Sequence, residues 1–457
     1  MAKRTVKIGN AQGFWGDRPD TAAQLLRQQP DLDYITLDYL AEVSMSILAI
    51  QKEKDPSLGY AQDFVEVVRS LAPLWMEGSN CKIICNAGGL NPHLCAKRCM
   101  EVLQKAGCED KVIGVVRGDD VLPQLKNAPD LSQFQNSETG QDFREIQDRI
   151  VTANAYLGAE AIVKALEAGA DIVITGRVAD PSLTVAACAH HFSWSQNDYD
   201  RLAAATVAGH LIECGTQVTG GISTDWLTIP DPADIGYPVI EMSEDGTFIV
   251  TKPDNTGGRV STQTVKEQLL YEIGDPDQYL SPDATVSFLH LELKETGPDR
   301  VQVTGAVGSA PPPLLKVSAT YRDGFKAEAM LTLLGRDVVR KAKRCGDVLV
   351  TRVRDAGFSL ARTRVECLGA CSSVMGVLPP PPVLLECVLR VAVADSDKAG
   401  PERFAREVAG LVTSGAPGIT GYATGRPKVR PIFGFWPCQI HRAYAGAAVD
   451  LVKWGEE

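Results

Sequence analysis

The sequence has no apolar segment long enough to cross a membrane. Its longest apolar stretch, Val383–Ala394, is interrupted by Glu386 and Arg390, and it is shorter than the roughly 20 residues that a spanning helix needs. The first ten residues lack the apolar region of a secretory signal. The 12 cysteines among 457 residues lie mainly in apolar segments and do not form the pattern of a disulfide framework. We therefore expect a cytoplasmic protein with reduced thiols.

Motifs of several common enzyme classes are also missing. There is no Gly-Lys-Ser/Thr phosphate loop, no G-x-S-x-G and no H-E-x-x-H, so we expect neither an ATPase of that type, a common serine hydrolase nor a zincin. Cys81 and Cys85 flank a predicted strand, where residues i and i+4 lie roughly 13 Å apart, too far to share one zinc ion. We expect no metal and no cofactor.

The net charge of the chain argues against two classes of binding partner. The formal net charge is −11, which disfavours binding to nucleic acid or to an anionic membrane. The composition, 44% hydrophobic and 23% charged, is that of a soluble globular protein, and the length allows two or three domains. A small-molecule ligand and a homo-oligomeric assembly are the partners that we expect.

Apolar strands alternate with helical segments in the first half of the chain. This alternation predicts βαβ units and a parallel sheet. A cluster of Pro and Asp at 230–238 predicts a domain boundary, and beyond it short β-branched runs alternate with Gly and Pro turns. The predicted fold class is α/β, with a mostly parallel, doubly wound sheet in an N-terminal domain (1–230) and a second α+β domain (231–457). The predicted strands of the first domain are Val6–Gly9, Tyr34–Leu37, Lys82–Cys85, Val112–Val116 and Ile172–Thr175.

Three of these strands run into loops rich in Gly, Asn, Asp and Arg. The loops are AQGFWGDRP after the first strand, NAGGLNP after the third and GRVADPSL after the fifth. In a parallel sheet they lie at the carboxyl ends of strands, where such folds bind ligands. The sequence therefore predicts a ligand site built by these loops.

The first and third loops each pair an arginine with an aspartate. Arg18, next to a predicted helix N-terminus, can bind a phosphate or carboxylate, and Asp17 either acts in catalysis or caps that helix. Arg177 can bind an anion in bidentate fashion and Asp180 can act as a base. The alternative for the third loop is an ion pair that braces the turn.

The second loop offers hydrogen-bond donors. Gly88 and Gly89 bring backbone N–H groups close to a ligand, and Asn86 and Asn91 add side-chain amides. Such donors can form an oxyanion hole for a thioester or carboxylate. The alternative for Asn91 is that it caps the following helix.

Two further segments supply candidates. His210 and Glu213 lie three residues apart on a predicted helix and can share one face, as an acid/base pair or as two metal ligands. The alternative is that His210 is a satisfied core residue. Lys252, in KPDNTGG, can close over an anionic ligand, and the alternative is packing between domains.

These motifs together resemble the AtuA-like acyclic terpene utilisation family. The resemblance covers nearly the whole chain and rests on IGNAQGFWGDRP, NAGGLNP, ITGRVADPSL, RLAAATVAGHLIECGTQVTGG, TVKEQLLYEIGDPDQYLSPD and GFWPCQIHR. It implies a place in bacterial catabolism of citronellol- and geraniol-type compounds, which proceeds through acyl-CoA thioesters. Some members of that family carry an additional small C-terminal domain, so a separate small partner protein is a further expectation here.

The leading functional hypothesis is an enzyme that acts on an acyl-CoA or a small carboxylate by acid/base chemistry, as a hydratase or dehydratase (hydro-lyase), an isomerase or a lyase. Asp180, Asp17 or the His210–Glu213 pair would move the proton. The alternatives are a non-catalytic ligand-binding subunit, a thioester or amide hydrolase, and a metal-dependent form of the enzyme.

Overall fold

A computed structural model describes residues 5–371, 381, 383–422 and 424–455. The chain forms two compact units. The large unit consists of Met1–Thr320 together with Phe435–Glu457, and the small unit consists of Tyr321–Gly434. The division differs from the predicted boundary at residue 230, because strands that follow this residue continue the sheet of the first half.

Helices and strands alternate over most of the first half of the chain, and strands predominate in the second half. The helices are α1 (Thr21–Gln28), α2 (Glu42–Lys54), α3 (Phe64–Met76), α4 (Pro92–Lys105), α5 (Leu122–Asn127), α6 (Glu160–Glu167), α7 (Ser182–Phe192), α8 (Tyr199–Ile212), α9 (Thr262–Leu269), α10 (Val338–Asp355) and α11 (Ala399–Ser414). The strands are β1 (Thr5–Asn10), β2 (Tyr34–Leu37), β3 (Lys82–Cys85), β4 (Ile113–Arg117), β5 (Ile150–Ala155), β6 (Ile172–Thr175), β7 (Val239–Ser243), β8 (Phe248–Thr251), β9 (Tyr279–Leu280), β10 (Thr285–Ser287), β11 (Glu292–Gly297), β12 (Arg300–Thr304), β13 (Val307–Ser309), β14 (Leu314–Leu334), β15 (Arg362–Leu368), β16 (Glu386–Asp395), β17 (Ile419–Tyr422), β18 (Arg430–His441) and β19 (Ala448–Val452).

The large unit is built on a ten-stranded mixed sheet. Its order is β11-β12-β8-β7-β1-β2-β3-β6-β4-β19. The five central strands, β1, β2, β3, β6 and β4, pair in parallel, and they are the five strands predicted for the first half. The outer strands pair antiparallel. The structure is thus a mixed α/β fold in which later segments extend a parallel centre.

Helices cover both faces of the central strands. Ile35, Leu37 and Ile83 belong to a buried apolar cluster that also contains residues of α1, α3 and α4. Tyr34 points the other way, and its hydroxyl lies 2.7 Å from Nδ1 of His190 in α7. Because neighbouring residues of a strand face opposite sides, a strand in a doubly covered sheet is buried on both faces, as every residue of β2 and β6 is.

The small unit has its own core and sheet. Its strand order is β15-β16-β14-β17, and all of these pairs are antiparallel. Residues of α10 and α11 pack with the strands in one apolar cluster. The chain order β14-α10-β15-β16-α11-β17 is the β-α-β-β-α-β order of the ferredoxin-like motif. In the described parts of both units, no helix combines the length and the apolar character that crossing a bilayer requires.

Candidate active site

Two cavities of the large unit meet at a wall of carboxyl groups. They have volumes of about 400 and 570 Å³. The smaller is lined by residues that follow β1 and β2, and both are lined by Asp180, which follows β6. These cavities thus lie at the carboxyl ends of parallel strands, where the sequence predicts a ligand site. Four acidic residues line both of them: Glu42, Asp180, Glu213 and Glu272.

Arg177 and Asp180 form a partly buried ion pair. The Arg177 side chain is 1% exposed, and its Nη2 lies 3.0 Å from Oδ1 of Asp180. Its guanidinium lies over the ring of Tyr156, 4.1 Å from the ring centre, and its Nη1 donates to the carbonyl of Leu40. The backbone N–H of Arg177 donates to Oδ2 of Asp119 at 2.8 Å. The pair braces the turn, and Asp180 also faces both cavities, so the two alternatives for this loop are not exclusive.

Helix α8 brings His210 and Glu213 to the same wall because it packs closely on the loop after β6. A Cβ at Gly209 would lie 2.6 Å from the carbonyl oxygen of Pro181, so this approach requires glycine. One residue later, Nδ1 of His210 lies 3.3 Å from Oε1 of Glu213, the residue that follows the end of α8. The structure thus places these two side chains next to each other, as predicted.

The hydrogen bonds of His210 fix where its proton sits. Nε2 lies 3.0 Å from the carbonyl oxygen of Gln268, which can only accept, so Nε2 carries the hydrogen. Burial lowers the pKa of His210 to about 4, so the ring is neutral at neutral pH. Nδ1 is then an acceptor, and Glu213 satisfies it only as a protonated acid.

The surroundings of Glu213 favour that protonated form. Burial and then the charge of Asp180 raise its pKa well above the usual range. Its Oε2 is buried and has no hydrogen-bond partner within the described part of the chain. Glu213 therefore presents a neutral carboxyl group with one oxygen free for a ligand.

Asp38, which is buried, and Asp180, whose side chain is 30% exposed, complete the wall of carboxyl groups. Burial raises the pKa of Asp180, and the Arg177 charge opposes this shift. Burial and then Asp180 raise the pKa of Asp38 well above its usual range. The predicted binding residue Asn86 is buried beside Asp38: its Nδ2 donates to Oδ1 of Asp38 at 2.6 Å, and its Oδ1 accepts from the N–H of Tyr39 at 2.7 Å. Asn86 thus orients a carboxyl group of the site.

Glu42 and Lys316 form a second ion pair at the edge of this wall of carboxyl groups. Oε1 of Glu42 accepts from the hydroxyl of Tyr156 at 3.0 Å and lies 3.3 Å from Nζ of Lys316. Although burial favours the neutral acid, a backbone hydrogen bond and the charge of Lys316 lower the pKa of Glu42. Lys316 is the only lysine or arginine among the described residues that line either cavity.

The first loop contributes less than predicted to this wall. Asp17 lines the smaller cavity, and its Oδ2 accepts from the N–H of Gly13 at 2.9 Å. It does not cap α1, which begins at Thr21. Arg18 is 65% exposed and donates to Asp20 and Gln24. Asp17 shapes the loop, whereas Arg18 lies on the surface.

The other predicted binding residues lie elsewhere. Gly89 and Asn91 line a third cavity of about 510 Å³, and Gly88 packs against Thr175 and Pro92. The Asn91 side chain donates to the carbonyls of Pro56 and Leu58 and does not cap α4. Lys252 is buried, donates to the Thr256 carbonyl at 2.9 Å and lies 3.2 Å from Asp299.

Several residues of the site were not among the sequence candidates. Asp38 follows β2 as Asp180 follows β6, so the same strand-end rule would have found it. Glu272 has a φ of 57°, a strained conformation for a non-glycine residue that is typical of functional sites, but sequence does not reveal it. The remaining ones, Glu42, Tyr156, Tyr279 and Lys316, carry no local signal.

Comparison with known proteins identifies the family. A family model described as "Acyclic terpene utilisation family protein AtuA" matches residues 6–451. The chain belongs to this family. No curated protein and no solved structure matched the chain. Membership relates this AtuA-family protein to acyclic terpene utilisation. Among the residues that the structure describes, no three His, Cys, Asp or Glu side chains are grouped so that they could hold a metal ion.

Proposed function

We propose that this AtuA-family protein is a cytoplasmic acid/base enzyme of acyl-CoA metabolism, a hydro-lyase or an isomerase. The observation that carries the proposal is the meeting of two carboxyl groups with different environments on one cavity wall. Asp180 is paired with a cation at 3.0 Å, whereas Glu213 faces a neutral imidazole at 3.3 Å. Different environments of this kind separate the roles of base and acid.

The proposed roles follow from these partners. Asp180, whose charged form is stabilised by Arg177, removes a proton from the carbon next to the substrate carbonyl. Glu213 turns the O–H that it donates to Nδ1 of His210 toward the departing hydroxyl and gives it the proton, so that water leaves and a double bond forms. Addition of water is the reverse. In an isomerisation, the same two groups remove a proton from one carbon and add one at another.

The larger cavity supports an acyl chain as the substrate. Its polar wall is opposed by an apolar lining made of Leu280, Pro312, Pro313, Leu314 and Leu315. A thioester carbonyl is neutral and fits beside Glu42 and Glu272, whereas a free carboxylate would be repelled by them. We therefore favour an acyl-CoA with a branched apolar chain over a free acid.

A ligand screen followed by turnover tests this proposal. Thermal shift with free CoA, branched acyl-CoAs and the matching free acids should single out the acyl-CoAs, since a ligand at about a hundred times its Kd adds about 2.7 kcal/mol of stability. The same acyl-CoAs should then be hydrated, dehydrated or isomerised. Stabilisation by free acids alone would overturn the choice of thioester. Tight binding without turnover would replace the enzyme with a ligand-binding subunit.

A further inference from the structure

Asp119 follows the end of β4 and takes no direct part in the proposed reaction. It is 5% exposed, and it lines neither of the two cavities that meet at the wall of carboxyl groups. Like Asp38 after β2 and Asp180 after β6, it follows a central parallel strand. The contacts of its carboxyl group indicate what this buried acid does.

The carboxyl group of Asp119 holds the backbone of the loop that follows β6. Its Oδ2 accepts from the N–H of Arg177 at 2.8 Å. The chain passes so close at Gly176 that a Cβ there would lie 2.4 Å from Oδ1 and 2.5 Å from Oδ2 of Asp119. This close approach requires glycine, and it fixes the path by which the loop leaves β6.

Asp119 also holds the strand that leads to Tyr156. Its Oδ2 accepts a second bond, from Nδ2 of Asn154 at 2.8 Å, and its backbone carbonyl accepts from the N–H of Ala155 at 2.7 Å. Tyr156, the next residue, has the ring over which the Arg177 guanidinium lies, 4.1 Å from the ring centre. One aspartate therefore fixes both the backbone of Arg177 and the segment that presents this ring.

The hydrogen bonds to the Asp119 side chain are charge-assisted at neutral pH. Burial raises the pKa of Asp119 to about 6, whereas the bonds from the Arg177 N–H and from Asn154 lower it. The carboxyl group is therefore mainly ionised above this pH. Because bonds to an ionised acceptor are roughly twice as strong as neutral ones, Asp119 holds the loop more firmly than a neutral side chain could.

We propose that Asp119 is a positioning residue that sets Asp180 for proton transfer by acting through Arg177. Nη2 of Arg177 lies 3.0 Å from Oδ1 of Asp180, so a shift of the Arg177 backbone moves the partner that orients this carboxylate. A misplacement of about 1 Å can lower a rate about 10²-fold. Because the proposal rests on the function proposed above, its test includes one measurement that needs no turnover.

Hydrogen exchange of the full chain, followed by mass spectrometry, tests whether Asp119 holds the loop. In Asp119→Ala, the segment 176–180 should exchange at least about tenfold faster than in the wild-type protein, because a charge-assisted bond is lost. Asp119→Asn keeps an oxygen for the same two donors, so exchange should rise only a few-fold. Asp120→Asn, an exposed change at the next position, is the matched control and should have no effect. Wild-type exchange in Asp119→Asn overturns the proposal, even if Asp119→Ala does not fold.

Steady-state kinetics with the acyl-CoA found in the screen test whether the loop acts on the reaction. Asp119→Ala should lower kcat roughly 10²-fold with little change in KM, and Asp119→Asn should restore most of this loss. In an Asp180→Asn background, Asp119→Ala should cause no further loss of turnover, because the residue through which it acts has been replaced.

The contrary outcomes separate the two proposals. A further loss of the same size in the double variant, or full turnover despite faster exchange of the loop, would show that Asp119 has only a structural role. Either result leaves the proposed reaction intact. Absence of turnover with every acyl-CoA refutes the proposed reaction, and the positioning role falls with it.

Discussion

The first and third strand-end loops each carry an arginine that pairs with an aspartate nearby in sequence, and the two pairs lie in very different surroundings. Arg18 and Asp20 lie 3.0 Å apart, as do Arg177 and Asp180. Arg18 is 65% exposed, whereas Arg177 is 1% exposed. An Arg–Asp pair in a loop is therefore not informative by itself; what surrounds it decides whether it belongs to the surface or to a site.

The difference arises from distant parts of the chain. Tyr156, which follows β5, covers the guanidinium of Arg177, and α8 packs on the loop through Gly209. Arg18 is instead 65% exposed, and its hydrogen-bond partners Asp20 and Gln24 are near it in sequence. Burial of Arg177 strengthens its electrostatic coupling to Asp180, which suits the proton transfer that we propose for Asp180.

Replacing the two aspartates gives the largest contrast. Asp180→Asn should lower the turnover of the acyl-CoA found in the screen by roughly 10²–10⁴-fold, because it removes the base. Asp20→Asn should leave turnover unchanged. Steady-state kinetics of both purified variants measure the contrast, and equal turnover in the two would remove Asp180 from the reaction.

Replacing the two arginines should separate their contributions to stability. Arg177→Met should lower the free energy of unfolding by roughly 2–3 kcal/mol, because it leaves the half-buried Asp180 without its cation. Arg18→Met should cost about 0–1 kcal/mol, as expected of an exposed ion pair. Urea unfolding measures both, and similar losses would show that burial does not distinguish the pairs.

The buried histidine predicts a pH dependence. The pKa of His210 is about 4 in the folded protein and about 6.5 in the unfolded chain. Between these values only the unfolded chain binds the proton at this residue, so the stability that His210 contributes falls as the pH decreases from 6.5 to 4. This amounts to about 3 kcal/mol, and His210→Gln should lose that part of the dependence. Urea unfolding of the wild-type protein and of His210→Gln across the interval should show it, and equal slopes in the two proteins would contradict it.

Glu213→Gln should separate activity from stability. Gln keeps the shape of a protonated carboxyl group and can donate to Nδ1 of His210, so the free energy of unfolding should change by no more than about 1 kcal/mol. It cannot release a proton, so turnover should fall about 10²-fold. A large loss of stability at neutral pH would instead indicate that Glu213 is ionised in the wild-type protein.

The sequence predicts the strands and loops that position the site, but only some of the residues that form it. The five central strands, the loop positions and the i, i+3 placement of His210 and Glu213 follow from local patterns, and all are present. The pairing of Glu42 with Lys316 joins residues 274 positions apart, which no local pattern encodes. No local pattern encodes the burial of Arg177 either, or the cavity that Gly89 and Asn91 line. The family resemblance, by contrast, was available from the motifs and is confirmed over residues 6–451.

The most direct measurement is infrared difference spectroscopy between the wild-type protein and Glu213→Gln at neutral pH. We expect the wild-type protein to show the carbonyl absorption of a protonated, buried carboxyl group, and we expect this absorption to disappear in the variant. A difference spectrum with only the bands of an ionised carboxylate would contradict it, because Glu213 would then have no proton to give.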